Sequence, residues 1–132
     1  METNPERILI VDDIFSNRLL LSSALEGLGL ASKSVGNGQA AIDLLQEEAF
    51  SMVLLDIEMP VMNGLETVRY IRKQMKDPVR NMPVVALTAH NPNEYGDEIQ
   101  SAGFSEILTK PYSIDKLQNL LDKYLTKDNS KN

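Results

Sequence analysis

Met52-Val53-Leu54-Leu55-Asp56 is an apolar run closed by a carboxylate. Strict alternation would mark a strand with one face in water. An unbroken run of this length suits a strand covered on both faces, the interior position of a parallel sheet. Two further runs have the same form, Ile8-Leu9-Ile10-Val11 and Val84-Val85-Ala86-Leu87. Weaker runs at residues 31–35 and 105–109 carry polar residues and read as edge strands.

Helical patterns lie between and after these runs. Leu21, Ala24, Leu25 and Leu28 follow the i, i+3, i+4, i+7 spacing, with Gly29 as a stop. Ala41, Leu44 and Leu45 mark a second helix after Asn37-Gly38. Leu65, Val68, Ile71 and Met75 mark a third, entered by Asn63 with Glu66 at capping-box spacing. Leu117, Leu120, Leu121 and Tyr124 mark the last, with Ser113 as its N-cap. The fourth helix is capped by Asn91 and opened by Pro92. It carries few apolar residues and an internal Gly96, which costs about 1 kcal/mol against Ala, so it is expected to be the least firmly held. Strand and helix thus alternate five times, which predicts a doubly wound α/β fold with a parallel sheet, right-handed crossovers and helices on both faces. The whole chain, residues 1–132, reads as a single domain with its core at about 7–125 and a frayed polar tail at 126–132.

Composition narrows the chemistry. The 132 residues suffice to bury about two-thirds of the unfolded surface without staples. With 0 cysteines, thiolate metal sites, disulfides and cysteine nucleophiles are excluded; with 1 histidine, so is a multi-His zinc site. No apolar run approaches the roughly 18 residues of a membrane span, and no signal peptide opens the chain, so a cytoplasmic location and no membrane contact are expected. The formal charge of −6 argues against direct nucleic-acid binding, which needs Lys and Arg to neutralise phosphates.

Ligands of parallel α/β sheets bind beyond the carboxyl ends of the strands. Here those ends carry Asp12-Asp13, Asp56, Thr88-Ala89 and Lys110-Pro111. Taken singly, each has an ordinary explanation: a cap, a turn residue, a surface lysine. Together they do not. Two carboxylates about 5 Å apart repel by about 3 kcal/mol at an effective dielectric of about 20, and three by about 10 kcal/mol. Domain stability is only about 5–15 kcal/mol. Something cationic must sit there, or a carboxyl must stay protonated. Lys110 supplies one charge; an all-oxygen site with few protein ligands suits Mg²⁺ for the rest. Carboxylate, divalent cation, ammonium and hydroxyl are what phosphoryl transfer to an aspartate needs. Asp56 is the best nucleophile because it closes a central strand. Pro60 and Gly64 then hold the following segment off helical geometry.

Val11-Asp12-Asp13, residues 56–64 (Asp-Ile-Glu-Met-Pro-Val-Met-Asn-Gly), Leu87-Thr88-Ala89 and Thr109-Lys110-Pro111 resemble, in order and spacing, the motifs of receiver domains of two-component response regulators, the CheY-like family. The resemblance runs from about residue 7 to 125. It implies a flavodoxin-like, three-layer (βα)5 fold with strand order 2-1-3-4-5. It implies that Asp56 accepts a phosphoryl group from a phosphohistidine on a sensor histidine kinase or histidine phosphotransfer protein. It implies Mg²⁺ on Asp13, Asp56 and the Glu58 backbone carbonyl, with Asp12 acting through water. Thr88 and Lys110 would contact the phosphoryl oxygens, Ala89 would leave the acceptor accessible, and the Lys110–Pro111 bond would be cis.

Glu58 and His90 stand at positions that tune dephosphorylation in similar proteins, and Glu58 is expected to pair with Lys110 when the acceptor is unmodified. Ile107 stands where many members carry a switch aromatic, and Tyr112 reads as a packing residue. Asn17-Arg18 resembles receivers of hybrid sensor kinases and phosphorelays. The implied role is a phosphoacceptor switch, not an enzyme, acting on a downstream protein through the face near the fourth helix and fifth strand, as a monomer or weak homodimer. Because the chain ends after the fifth helix, no output module is expected within it, and its starting methionine favours a stand-alone receiver. Two other readings are a phosphorylation-independent binding module, and an aspartyl phosphatase or flavin carrier. The last pair fits poorly: aspartyl phosphatases carry Asp-x-Asp near the amino terminus, and Asp12-Asp13 would repel a flavin phosphate.

Overall fold

The computed structural model describes residues 6–59, 62–89 and 92–125, the stretch 92–95 as backbone alone. Pro60, His90, the cap Asn91 and the tail at 126–132 lie outside the described residues. Strands β1 (Arg7–Val11), β2 (Ala31–Val35), β3 (Met52–Asp56), β4 (Val84–Thr88) and β5 (Glu106–Thr109) alternate with helices α1 (Phe15–Gly27), α2 (Gly38–Glu47), α3 (Gly64–Gln74), α4 (Pro92–Ala102) and α5 (Ile114–Leu125). A short 3-10 helix, Val79–Asn81, precedes β4. It had no counterpart in the sequence reading; it follows a second cis proline bond, Asp77–Pro78, besides Lys110–Pro111.

The strands pair in parallel in the order β2-β1-β3-β4-β5, with both polar runs at the edges as expected. Side chains alternate across the sheet and sort the interior into two layers. Leu9, Val11, Val53, Leu55, Val84 and Ala86 meet Ala41, Leu45, Val68, Ile71 and Ile99 from α2, α3 and α4. Ile8, Ile10, Met52, Leu54, Val85 and Leu87 meet Leu21, Leu25, Leu117 and Leu121 from α1 and α5. Every residue of β3 and β4 is buried, which is why each is an apolar run up to the polar residue, Asp56 or Thr88, that closes it.

Helix ends follow local chemistry. Asn63 and Glu66 form a reciprocal capping box at α3, and Ser113 Oγ accepts from the Lys116 N–H at α5. Gly29, at φ 84°, closes α1: its N–H donates to Glu26, and the Leu30 N–H reaches back to Leu25. Gly64 corrects the sequence reading. It is the first residue of α3 rather than a break from helical geometry, and what it supplies is room. A Cβ there would stand 2.5 Å from the Asp56 carbonyl oxygen and 2.7 Å from Ile57 Cα. In α4, Ile99 and Ala102 are the buried apolar side chains among those described.

Arg72, on α3, binds the lower loops together. Its Nε donates to the Gly103 carbonyl at 2.8 Å, and Nη1 to those of Arg80 and Met82 at 2.7 and 2.8 Å; Nη2 meets Ser105 Oγ at 3.3 Å. Ser105 Oγ in turn accepts from the Val84 N–H at 3.1 Å. One planar guanidinium thus ties α3 to the approach to β4 and to the α4–β5 turn. Arg72→Ala should cost about 2–4 kcal/mol in urea denaturation, because part-buried carbonyls lose their donor. Arg72→Lys should restore less than half, an ammonium being unable to span the same fork.

Candidate functional site

Register brings the acidic residues together. Val11 pairs with Leu55, Asp56 with Leu87, and Thr88 with Thr109. The residues just past β1, ending β3 and β4, and just past β5 therefore meet at one edge of the sheet. Asp12, Asp13 and Asp56 each offer a carboxylate oxygen, and these lie within 4.8 Å of one another. Asp12 is fully buried and Asp56 is 2% exposed, while Asp13 opens to solvent. Lys110 Nζ stands 3.7 Å from Asp56 Oδ1 and 3.8 Å from Asp12 Oδ2. Thr88 is buried beside them, and its carbonyl accepts from the Lys110 N–H at 2.7 Å. Ala89 is exposed at the rim.

The acidic pair does not cap α1. That helix starts from Ile14 with no side-chain cap. Instead Asp12 Oδ1 accepts from the Ile14 N–H at 2.9 Å, and Oδ2 from Asn17 Nδ2 at 3.3 Å. Asp56 Oδ1 accepts from the Glu58 N–H at 3.1 Å. The loop after Asp56 is folded back tightly, the Gly64 N–H donating to the Ile57 carbonyl at 3.0 Å. Burial pushes the Asp56 carboxyl up to about 6, with Asp12 and Glu58 adding to the rise against the Glu58 N–H and Lys110. A deeply placed carboxyl with an uncomfortable charge, two more carboxylates at hand and only oxygen donors fits a hard divalent cation such as Mg²⁺.

Tyr112 packs against the layer under α1 and α5, as a packing residue should. Burial and the charges of Asp12 and Asp56 push its phenol up to about 12. Ile107 leans on the opposite layer and lines a cleft of about 230 Å³ between α4 and β5, together with Ile99 and Phe104. What the sequence reading missed is an apolar rim: Ile14, Phe15, Leu19 and Leu20 on and before α1, and Ile114 opening α5, are 49–66% exposed. The signal was present, since Phe15, Leu19 and Leu20 fall outside the Leu21–Leu25 stripe. No helix among the described residues is long and apolar enough to cross a membrane.

A doubly wound sheet with an acidic pocket and a lysine at the strand ends defines a class of phosphoryl-handling α/β domains. The sequence profile of the response regulator receiver domain matches residues 8–122, and the chain belongs to that family. It is 34% identical over 125 residues to the sensor protein GacS of Pseudomonas syringae pv. syringae, covering 94% of this chain but 14% of GacS. It is also 34% identical to sporulation initiation phosphotransferase F of Bacillus subtilis, covering 91% of this chain and 94% of that protein. In structure it resembles the receiver domain of the sensor histidine kinase PA1611 from Pseudomonas aeruginosa, which has a magnesium ion in its active-site cleft. The TM-score is 0.83 at 28% identity, over 92% of this chain and 98% of that one. The chain is a receiver domain of two-component signalling.

The raised Asp56 value has a stability consequence with a definite sign. The folded state holds the proton more tightly than the unfolded chain, whose aspartate titrates near 3.8. Stability from this group is therefore full below that value and falls as pH rises through about 6, by on the order of 3 kcal/mol. Thermal melts without divalent metal should show this decline between pH 4 and 7, flattened in Asp56→Asn and offset by Mg²⁺.

Proposed function

We propose that Asp56 is the phosphoacceptor, taking a phosphoryl group from a phosphohistidine on a sensor kinase or phosphotransfer protein in a Mg²⁺-dependent reaction. The observation that carries this reading is the buried Asp56 carboxyl with Lys110 Nζ at 3.7 Å and two further carboxylates beside it. An Asp56 oxygen bonds to phosphorus as the bond from phosphorus to the imidazole nitrogen breaks, the electron pair leaving with the ring. Mg²⁺, held by Asp13, Asp56 and the Glu58 carbonyl, with Asp12 acting through water, would neutralise charge on the transferred oxygens. Lys110 meets those oxygens from the end of β5 and the Thr88 hydroxyl from the end of β4. Ala89, small and at the rim, leaves the approach open. Glu58, two residues after Asp56, and His90, two residues after Thr88 in the sequence, tune the lifetime of the acyl phosphate. The domain takes part in its own modification and hydrolysis rather than turning over a separate substrate, and it passes the change to a downstream protein.

The donor docks on the apolar rim. Ile14 and Phe15 follow directly on Asp12-Asp13, and Ile114 comes shortly after Lys110-Pro111, so the exposed apolar side chains flank the acceptor from two elements. Large exposed apolar groups beside a charged site suit a protein partner that must bring its own reactive group to that site.

Acetyl phosphate with Mg²⁺ should add one phosphoryl mass to the intact protein, and Asp56→Asn or a chelator should abolish it. An adduct that persists in Asp56→Asn would refute the assignment. Leu20→Ala with Ile114→Ala should slow transfer from a phosphorylated histidine phosphotransfer protein by about tenfold while the acetyl phosphate adduct forms as before.

A further inference from the structure

The Asn17-Arg18 pair plays no part in the chemistry above, yet both side chains reach the acidic loop. Arg18 Nη1 donates to the Asp12 carbonyl at 2.7 Å. That carbonyl belongs to the peptide unit joining Asp12 to Asp13. Because the unit is planar, fixing its oxygen fixes the direction in which the chain enters Asp13. The Asp13 side chain needs such control. It is exposed, and no hydrogen bond to its carboxylate occurs among the described residues, so its own backbone must aim it. Asp12 is held differently, by Ile14 N–H and Asn17 Nδ2 on its two side-chain oxygens.

Arg18 is itself confined. Its guanidinium carbon lies 5.6 Å from the centre of the Phe15 ring. On another side runs the backbone of Gly36, just past β2, where a Cβ would stand 3.3 Å from Nη1 and 3.9 Å from Cζ. The Asp12 N–H is bonded to the Val35 carbonyl at 3.2 Å, so the β2 end and the acidic loop form one unit with the guanidinium across it.

We propose that Arg18, assisted by Asn17, is a positioning residue for the divalent-cation site: it clamps the Asp12–Asp13 peptide so that the otherwise untethered Asp13 carboxylate joins Asp12 and Asp56. The inference rests on the Mg²⁺ reading above. It has a signature that simple charge balance lacks. An arginine that merely offset negative charge would compete with the cation, and its removal would tighten Mg²⁺ binding. A clamp predicts the opposite sign, because a site whose ligand is left to wander must order it on binding.

Calorimetric Mg²⁺ titration of wild type, Arg18→Met and Arg18→Lys, with thermal midpoints taken alongside, separates the two. Arg18→Met should bind Mg²⁺ about tenfold more weakly, the scale of one charge-assisted hydrogen bond. Arg18→Lys, which keeps a donor for the single carbonyl, should recover most of that loss. Binding in Arg18→Met as tight as or tighter than wild type would overturn the inference, as would a lysine variant no better than the methionine one. Should Arg18→Met fail to fold, Gly36→Ala keeps the arginine but sets a Cβ 3.3 Å from Nη1, pushing the guanidinium back by a few tenths of an ångström; weaker Mg²⁺ binding supports the clamp and unchanged or tighter binding overturns it. A wild type that takes up no Mg²⁺ would bring down the metal reading itself, and the clamp with it.

Discussion

Carboxylate oxygens of Asp12, Asp13 and Asp56 lie within 4.8 Å of one another at the edge of a buried sheet, with the Lys110 ammonium less than 4 Å from two of those carboxyls. Repulsion of this kind amounts to several kcal/mol at the dielectric of a protein surface, comparable with the stability of a small domain. The protein meets it by partial means: an ammonium, backbone N–H groups at Asp12 and Asp56, the Asn17 amide, and a carboxyl whose proton is held up to about 6. Each of these leaves negative charge uncompensated. That surplus suits a hard divalent cation.

The parallel sheet makes such crowding possible. Side chains at neighbouring strand ends are brought side by side by pairing along the full length of each strand, so the cost of gathering charge is spread over two packed interior layers. Close approach matters as much as pairing. The turn after Asp56 folds so tightly that the first residue of α3 has no space for a Cβ, and the Gly64 N–H is drawn onto the Ile57 carbonyl. Below the sheet, Arg72 anchors the α4–β5 turn and the approach to β4 through one guanidinium. Strands β4 and β5 thus rest on a fixed base, while α4 between them buries Ile99 and Ala102 among its described side chains.

Much of this is legible in the amino-acid sequence. Apolar runs named β1, β3 and β4 because a strand covered on both faces leaves little place for a polar residue before its end. The polar runs at β2 and β5 marked the edges. Asn63 with Glu66, Ser113 and Gly29 marked helix ends because capping is a matter of bonds between residues a few positions apart. The long-range features were silent. Arg72 reads as a surface arginine on the polar side of a helix, and its acceptors are carbonyls that every residue possesses. Gly64 reads as a loop glycine until the Asp56 carbonyl is seen against it. Arg18 reads as one more charge on α1, and Phe15, Leu19 and Leu20 show in the sequence only as apolar residues off the Leu21–Leu25 stripe, with nothing local to say what they face.

The amino-acid sequence by itself determined the alternation of elements, the layers of the interior and the kinds of group available at the strand ends, since each depends on period, capping and residue type within a short window. Only the tertiary structure decided which of those groups face one another, how far the Asp56 proton is held above its ordinary range, and which apolar side chains stay in water. Those properties follow from register and burial, which arise when segments far apart in the chain are packed together, and no local pattern encodes the distance between them.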